Sequence, residues 1–250
     1  MIGIIQGRLS PPIEGFQECP KDWKREFDLL GEVGLSHIDW VVTKQSFKHN
    51  PIFFQDLKRY SINSICADNL VDECIFGELA SSLIPICNAA VRNNIKNVTI
   101  PLLENSNVED NSNRDIFIKL MLPIADTYKN LNFSFEAELE AEKILEIIDL
   151  RDNFFTTYDT GNITSCGFDH KKYINLVKHK INNVHLKDRT FDAQTVEPMT
   201  GDTDFKLIFK TLKNIGYNGL YTLQTARGES GKEINTISDH VAIFKEMIND

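Results

Sequence analysis

Four short motifs in the second half of the chain carry side chains that can bind a cation and move a proton. They are FSFEAE, with Glu136 and Glu138; TTYDTGN, with Asp159, Gly161 and Asn162; NVHLKDR, with His185, Lys187, Asp188 and Arg189; and LQTAR, with Gln224 and Arg227. Each ends a short β-rich apolar run, so each delivers an oxygen or nitrogen where a strand stops. Glu136, Asp159 and His185 supply two carboxylates and an imidazole, a donor set that suits one divalent cation of the Mn, Co, Zn or Mg type. The amide oxygen of Gln224 can complete the set. A cation held there would polarise a substrate carbonyl and stabilise a developing enediolate. Taken singly, each residue has a plainer reading: a solvated glutamate, a turn aspartate, a core histidine, a surface arginine. Their coincidence on four consecutive strands carries the chemical reading.

The elements that must position these motifs alternate along the chain. Strand patterns fall at Met1–Gln6, His37–Val42, Ile62–Cys66, Val98–Pro101, Asn132–Glu136, Phe154–Tyr158, Asn183–His185 and Leu220–Gln224. Between them, apolar residues recur at spacings of three and four over Lys21–Val33, Leu79–Asn93, Arg114–Leu131, Ala141–Leu150, Phe205–Ile215 and Ile237–Ile248, the helical period. Thr203 or Asp202 is the expected cap of the Phe205 helix, Asp239 is expected early in the last helix, and Gly216 is a stop signal. The polar stretch Asn105–Arg114 reads as a surface loop. Alternating βα units imply a parallel sheet. Eight units at roughly 31 residues each favour a closed α/β (β/α)8 TIM barrel, a single domain over residues 1–250. Neither GxGxxG after the first strand nor GxxxxGK[ST] occurs, which argues against an open nucleotide-binding sheet.

Active sites of such barrels lie at the C-terminal strand ends. There the first strand delivers Gln6, Gly7 and Arg8, the second Asp39 and Trp40, the third Cys66, Asp68 and Asn69, and the fourth Glu104.

The whole-chain properties bound the partners. The formal net charge is -9 and the pI about 5.2, a field that repels phosphodiester backbones. Five cysteines (Cys19, Cys66, Cys74, Cys87 and Cys166) are scattered with no CxxC, which argues against a disulfide framework or structural zinc site and for reduced thiols in the cytoplasm. The N-terminus shows no signal-peptide pattern, and no apolar run approaches the ~18 residues of a membrane span. The expected partner is a small-molecule carbohydrate, with neither nucleic acid nor membrane. A homodimer is compatible with the chain, which does not fix its own assembly.

At these motifs the sequence resembles the xylose-isomerase-like TIM barrels, in particular the sugar phosphate isomerases/epimerases. The likeness extends over nearly the whole chain. It rests on GRLSP at Gly7–Pro11, on Trp23, Glu26 and Phe27, on Asn50–Pro51, on SICAD at Ser64–Asp68 and on PLLE at Pro101–Glu104. FEAEL, YDTGN, VHLKDR, GDTDF (Gly201–Phe205) and LQTAR complete it. The resemblance implies one cation held by Glu, Asp, His and commonly a second Glu on strands five to eight. It also implies that in epimerases the two glutamates act as an acid/base pair on opposite faces of the substrate. Glu136, Asp159 and His185 match. Gln224 departs from the eighth-strand glutamate, and Asn162 stands where histidine is frequent.

The departure has chemical content. An amide oxygen can coordinate a cation but cannot take a proton near neutral pH, so a two-glutamate epimerisation is compromised while a single-base isomerisation survives. Glu136 is the preferred base, with Lys187, Glu138 and Asp68 in reserve. Arg8, Arg189 and Arg227 are candidate holders of a phosphate or carboxylate, and Asp68, Asn162 and Asp188 complete the expected substrate contacts. Three alternatives stand beside the isomerase/epimerase. One is a metal-dependent dehydratase of a polyol or keto acid on the same fold, and another is a degenerate sugar-binding barrel. The third, an abasic-site endonuclease of the endonuclease IV type, is opposed by the acidic charge and by having only His185 of six histidines at a strand mouth.

Overall fold

Runs such as IGII and IDWV are buried along their whole length, as a parallel sheet covered by helices requires. The computed structural model describes residues 1–13, 18–73 and 75–249; Cys74 lies outside the described residues. Eight strands, Ile2–Ile5, Ile38–Val41, Ile62–Cys66, Asn97–Leu102, Asn132–Ala137, Phe154–Asp159, Ile181–Leu186 and Leu220–Leu223, form the barrel wall. They are counted first to eighth below. Each pairs in parallel with its neighbours in sequence, and the eighth closes on the first. The expected TIM barrel is therefore present. Two register pairs build the site: Pro101 with Glu136, and Asp159 with His185.

Several element ends differ from the sequence reading. The seventh strand starts at Ile181, two residues early, and the eighth stops at Leu223, leaving Gln224 just beyond it. Part of the expected Asn105–Arg114 loop is helix, because Asp110 accepts from the Ser112 and Asn113 amides and starts Asn111–Thr127. The Phe205–Asn214 helix is capped by Asp204, not by Thr203 or Asp202. The last helix starts at Glu233, so Asp239 lies within it. Helices Thr160–Ser165 and His170–Val177 lie outside the helical spans expected from the sequence; the first is too short to show a helical period. Outside the barrel, Asp188–Arg189 pairs antiparallel with Thr195–Val196 in a hairpin after the seventh strand.

Aromatic pairs reinforce a mainly aliphatic core. Phe135 meets Phe117 and Phe154 edge-to-face at centroid distances of 5.5 and 5.1 Å. Under the first helix, Trp23 packs against Trp40 and Tyr60 at 5.2 and 5.0 Å. Such pairs contribute beyond the area they bury.

One buried histidine ties the sixth strand to its helices. His170 Nδ1 lies 2.6 Å from the Tyr158 hydroxyl and Nε2 3.0 Å from Thr164 Oγ1. Thr164 donates its own proton to Thr160 O, so Nε2 carries the ring proton and Tyr158 donates to Nδ1. This arrangement suits the neutral ring. Burial pulls its pKa from 6.5 to about 4, against the weaker pull of Asp204 and Asp169. The folded value lies below the unfolded one, so protonation favours the unfolded chain. Stability should therefore fall as pH drops from 6.5 towards 4, by at most about 3 kcal/mol from this group. His170→Gln should flatten that part of the curve in urea unfolding series; an unchanged slope would contradict the assignment.

Candidate active site

The side-to-side alternation along the eighth strand sends Thr222 into the barrel, where its hydroxyl meets Asn183 at 3.2 Å. Two residues on, the alternation returns Gln224 to the same side. Glu136, Asp159 and His185 converge above this level. One ligand atom from each lies within 4.8 Å of the others, and all three residues are buried. His185 Nδ1 is 3.3 Å from Glu136 Oε2 and 4.0 Å from Asp159 Oδ2. Its other nitrogen, Nε2, is 3.4 Å from Oδ2 of Asp39, a fully buried carboxylate of the second strand.

Asp159 has a divided role. Its Oδ1 caps the Thr160–Ser165 helix by accepting from the Asn162 amide at 2.8 Å. That leaves Oδ2 for the cluster, where Lys187 Nζ approaches to 3.0 Å. The Asn162 side chain bridges the remaining groups: its Nδ2 donates to Glu136 Oε1 at 3.2 Å, and its Oδ1 accepts from Lys187 Nζ at 3.4 Å.

The electrostatics follow from burial among opposite charges. Burial alone would raise the Glu136 carboxyl, but His185 and Lys187 outweigh it and hold it at about 2. Burial alone would lower the His185 imidazole, but Glu136 and Asp39 outweigh it and hold it up at about 10. Burial likewise opposes the Asp39 charge, and His185 and His37 overcome it, leaving the carboxyl well below the usual range.

This donor set fits a divalent cation. Gln224 Oε1 is buried without a hydrogen bond, and Asp159 Oδ2 and the His185 ring nitrogens meet only the charged groups named above, an arrangement that is costly unless something polar joins them. Three carboxylates face one lysine and one imidazole. A dication in place of the imidazole proton would bring the group to neutrality. The cluster of Glu136, Asp159 and His185 could therefore hold one divalent cation.

The other candidate residues divide into two sets. Arg8 is buried in the loop after the first strand, where burial and then the like charge of Arg227 bring its pKa down to about 9. The backbone on both sides of it is clamped. Glu26 accepts from the Gly7 and Leu9 amides at 2.8 and 3.0 Å, and Arg227 donates to Gly7 O and Ser10 O at 2.7 and 3.2 Å. Gly7 has φ +85°, and a Cβ there would stand 2.8 Å from Glu18 O, so the turn requires glycine.

Asp188 is committed to its own loop: it accepts from the Thr200, Gly201 and Thr203 amides at 3.1, 3.0 and 3.3 Å. A Cβ at Gly201 would meet its carboxylate at 2.3 Å, which explains the glycine of GDTDF. Arg189 Nη1 reaches Ser165 Oγ at 3.2 Å and Glu138 Oε1 at 3.4 Å. Asp68 is half-buried just past the third strand.

A cavity of about 770 Å³, lined in part by Leu9, Ser10, Lys21, Arg25 and Lys232, opens beside the Arg227 clamp. None of its lining residues belongs to the Glu136 cluster. The sequence reading missed Asp39 as a member of that cluster. The available signal was a lone acid inside the otherwise apolar IDWV.

Comparison with known proteins bears on the fold. No curated protein matches the sequence. Among solved structures, an L-ribulose 3-epimerase superposes with a TM-score of 0.76 at 16% identity, covering 99% of this chain and 94% of that one. An IOLI protein with a bound zinc atom gives 0.71 at 16% identity, over 99% and 98% of the two chains. AsbF, a probable 3-DHS dehydratase from Bacillus anthracis, gives 0.71 at 12% identity, over 97% and 98%. At these identities the likenesses establish the fold. The sequence profile of one family matches residues 114–247, over half of the chain and all four strand-end motifs. The chain belongs to the xylose isomerase-like TIM barrel family.

Proposed function

We propose that this protein is a divalent-metal-dependent isomerase or epimerase of a sugar or sugar phosphate, working through an enediolate. The observation that carries the proposal is the buried convergence of Glu136, Asp159 and His185 with unsatisfied ligand atoms aimed into one space. The epimerases among its structural neighbours support it. When bound, the cation supplies Lewis acidity to a substrate carbonyl.

Within this reading, Glu136 is the base. Its carboxyl is ionised across the neutral range, so it can take the proton from the carbon next to the carbonyl. Lys187, 3.0 Å from Asp159, supplies a positive charge and a donor beside the developing oxyanion. Asn162 bridges Glu136 and Lys187 and sets their spacing. Arg8, Arg189 and Arg227 would serve an anionic end of the substrate, with Asp68 and Asp188 at its margins.

Gln224 biases the outcome. Inverting one carbon needs a proton delivered from the face opposite its removal, and an amide cannot cycle a proton there. A single base can instead carry the proton to the adjacent carbon, which interconverts aldose and ketose. Gln224 therefore favours isomerisation over epimerisation. A metal-dependent dehydratase is the second reading, favoured by the likeness to AsbF; it needs the same removal of a proton beside a carbonyl. The four free thiols among the described residues suit the cytoplasm.

Two measurements test the proposal. Adding Mn2+, Co2+ or Zn2+ to the metal-stripped protein at about 100 times Kd should stabilise it by about 2.7 kcal/mol, a rise of about 5–10 °C in Tm at this size. His185→Gln or Asp159→Asn should abolish the rise. A melting temperature indifferent to every cation would instead favour a sugar-binding barrel without chemistry. In D2O, ketoses, aldoses and their phosphates should be screened by NMR for deuterium entering the carbon beside the carbonyl. Glu136→Gln at saturating metal should slow that exchange by about 10²–10⁴-fold, and retained exchange would remove Glu136 as the base.

A further inference from the structure

Asp39 lies within the barrel behind His185 and away from Glu136 and Asp159. Its surroundings are built for a permanent anion. Oδ1 accepts from Asn63 Nδ2 at 2.8 Å and Oδ2 from Asn183 Nδ2 at 2.9 Å. The Asn63 oxygen accepts in turn from Asn97 Nδ2 at 3.0 Å, and the Asn97 oxygen from Asn132 Nδ2 at 3.0 Å. Three amides on the third, fourth and fifth strands therefore point their donors one way, and the row ends on Asp39. Turning Asn63 round would set its oxygen against the carboxylate and its NH2 against that of Asn97. Asn63, Asn97 and Asn132 are half-buried, and aligned hydrogen bonds strengthen one another, so the amide row favours charge at Asp39.

A neutral imidazole has one N–H and one lone pair. The partner of one nitrogen decides which nitrogen is left to bind a cation. In His185, Asp39 faces Nε2 at 3.4 Å, and Nδ1 faces Glu136 and Asp159. We propose that Asp39 is a positioning residue that holds the Nε2–H of His185 and so directs Nδ1 to the cation. The proposal rests on the metal-site reading given above. It assigns Asp39 no contact with substrate and no proton transfer. Without its charge, the two ring tautomers compete, and cation binding must impose both the tautomer and the ring orientation.

The test uses the full chain. In zinc-loaded, 15N-histidine-labelled protein, long-range 1H–15N NMR, assigned with His185→Gln, should show the His185 ring protonated at Nε2 and coordinated through Nδ1. Coordination through Nε2 would overturn the proposal. Asp39→Asn keeps shape and removes charge. Chelator competition should find its zinc affinity about 10–100-fold weaker, with a far-ultraviolet spectrum like that of the parent. A folded variant binding zinc as the parent does would equally overturn it. If Asp39→Asn does not fold, the ring assignment in the unaltered protein decides by itself. Unaltered protein that takes up no zinc, manganese or cobalt would overturn the metal-site reading and this proposal with it. Zinc bound with the wrong nitrogen, or indifference to Asp39, would sink the role of Asp39 alone.

Discussion

A single imidazole lies between three buried carboxylates at the heart of this barrel, and much of the surrounding architecture answers to that arrangement. His185 is within 4.0 Å of Asp39, Glu136 and Asp159. Placing three anions out of water is costly unless the surroundings compensate them. Lys187, the Asn162 amide, the Asn63 and Asn183 amides and the helix cap at Asp159 supply that compensation. The group is still one charge short of neutral with the ring protonated, and a dication in place of the ring proton would close the gap.

The loops above the cluster are held by charges that do not enter it. Glu26 and Arg227 clamp the backbone on either side of Arg8, which joins the loop after the eighth strand to the loop after the first. Asp188 gathers three amides of the loop after the hairpin. In both cases a conspicuous charged residue in a motif serves the backbone directly. Gly7 and Gly201 are required because a Cβ would run into Glu18 O at the first and the Asp188 carboxylate at the second. Under the proposed isomerase reading, glutamine in place of glutamate at position 224 would keep the oxygen and remove the second proton carrier.

Much of this was legible beforehand. Eight βα units, the strand ends FEAE, YDTGN, VHLKDR and LQTAR, and the family likeness led to the barrel, because period and strand-end chemistry are local properties of sequence. Element ends were less legible. The start of the seventh strand and the cap at Asp204 depend on pairing and on local backbone geometry that composition does not encode. The Thr160–Ser165 helix is shorter than the window in which a helical period can be recognised, and only the side chain of Asp159 marks its start.

By itself the sequence determined the barrel and the order in which polar residues arrive at its mouth, since short continuous apolar runs and the 3.6-residue helical period are both written in it. It also determined that an amide, Gln224, follows the eighth strand. Only the tertiary structure decided which of those residues meet. Asp39 and His185 are far apart in the chain and carry no shared motif. They become neighbours because barrel closure brings the second and seventh strands across one interior, and the interior layers fix the level at which each side chain enters. The same closure separates Asp188 and Arg227, held by backbone, from Glu136, Asp159 and His185, whose open ligand atoms face each other.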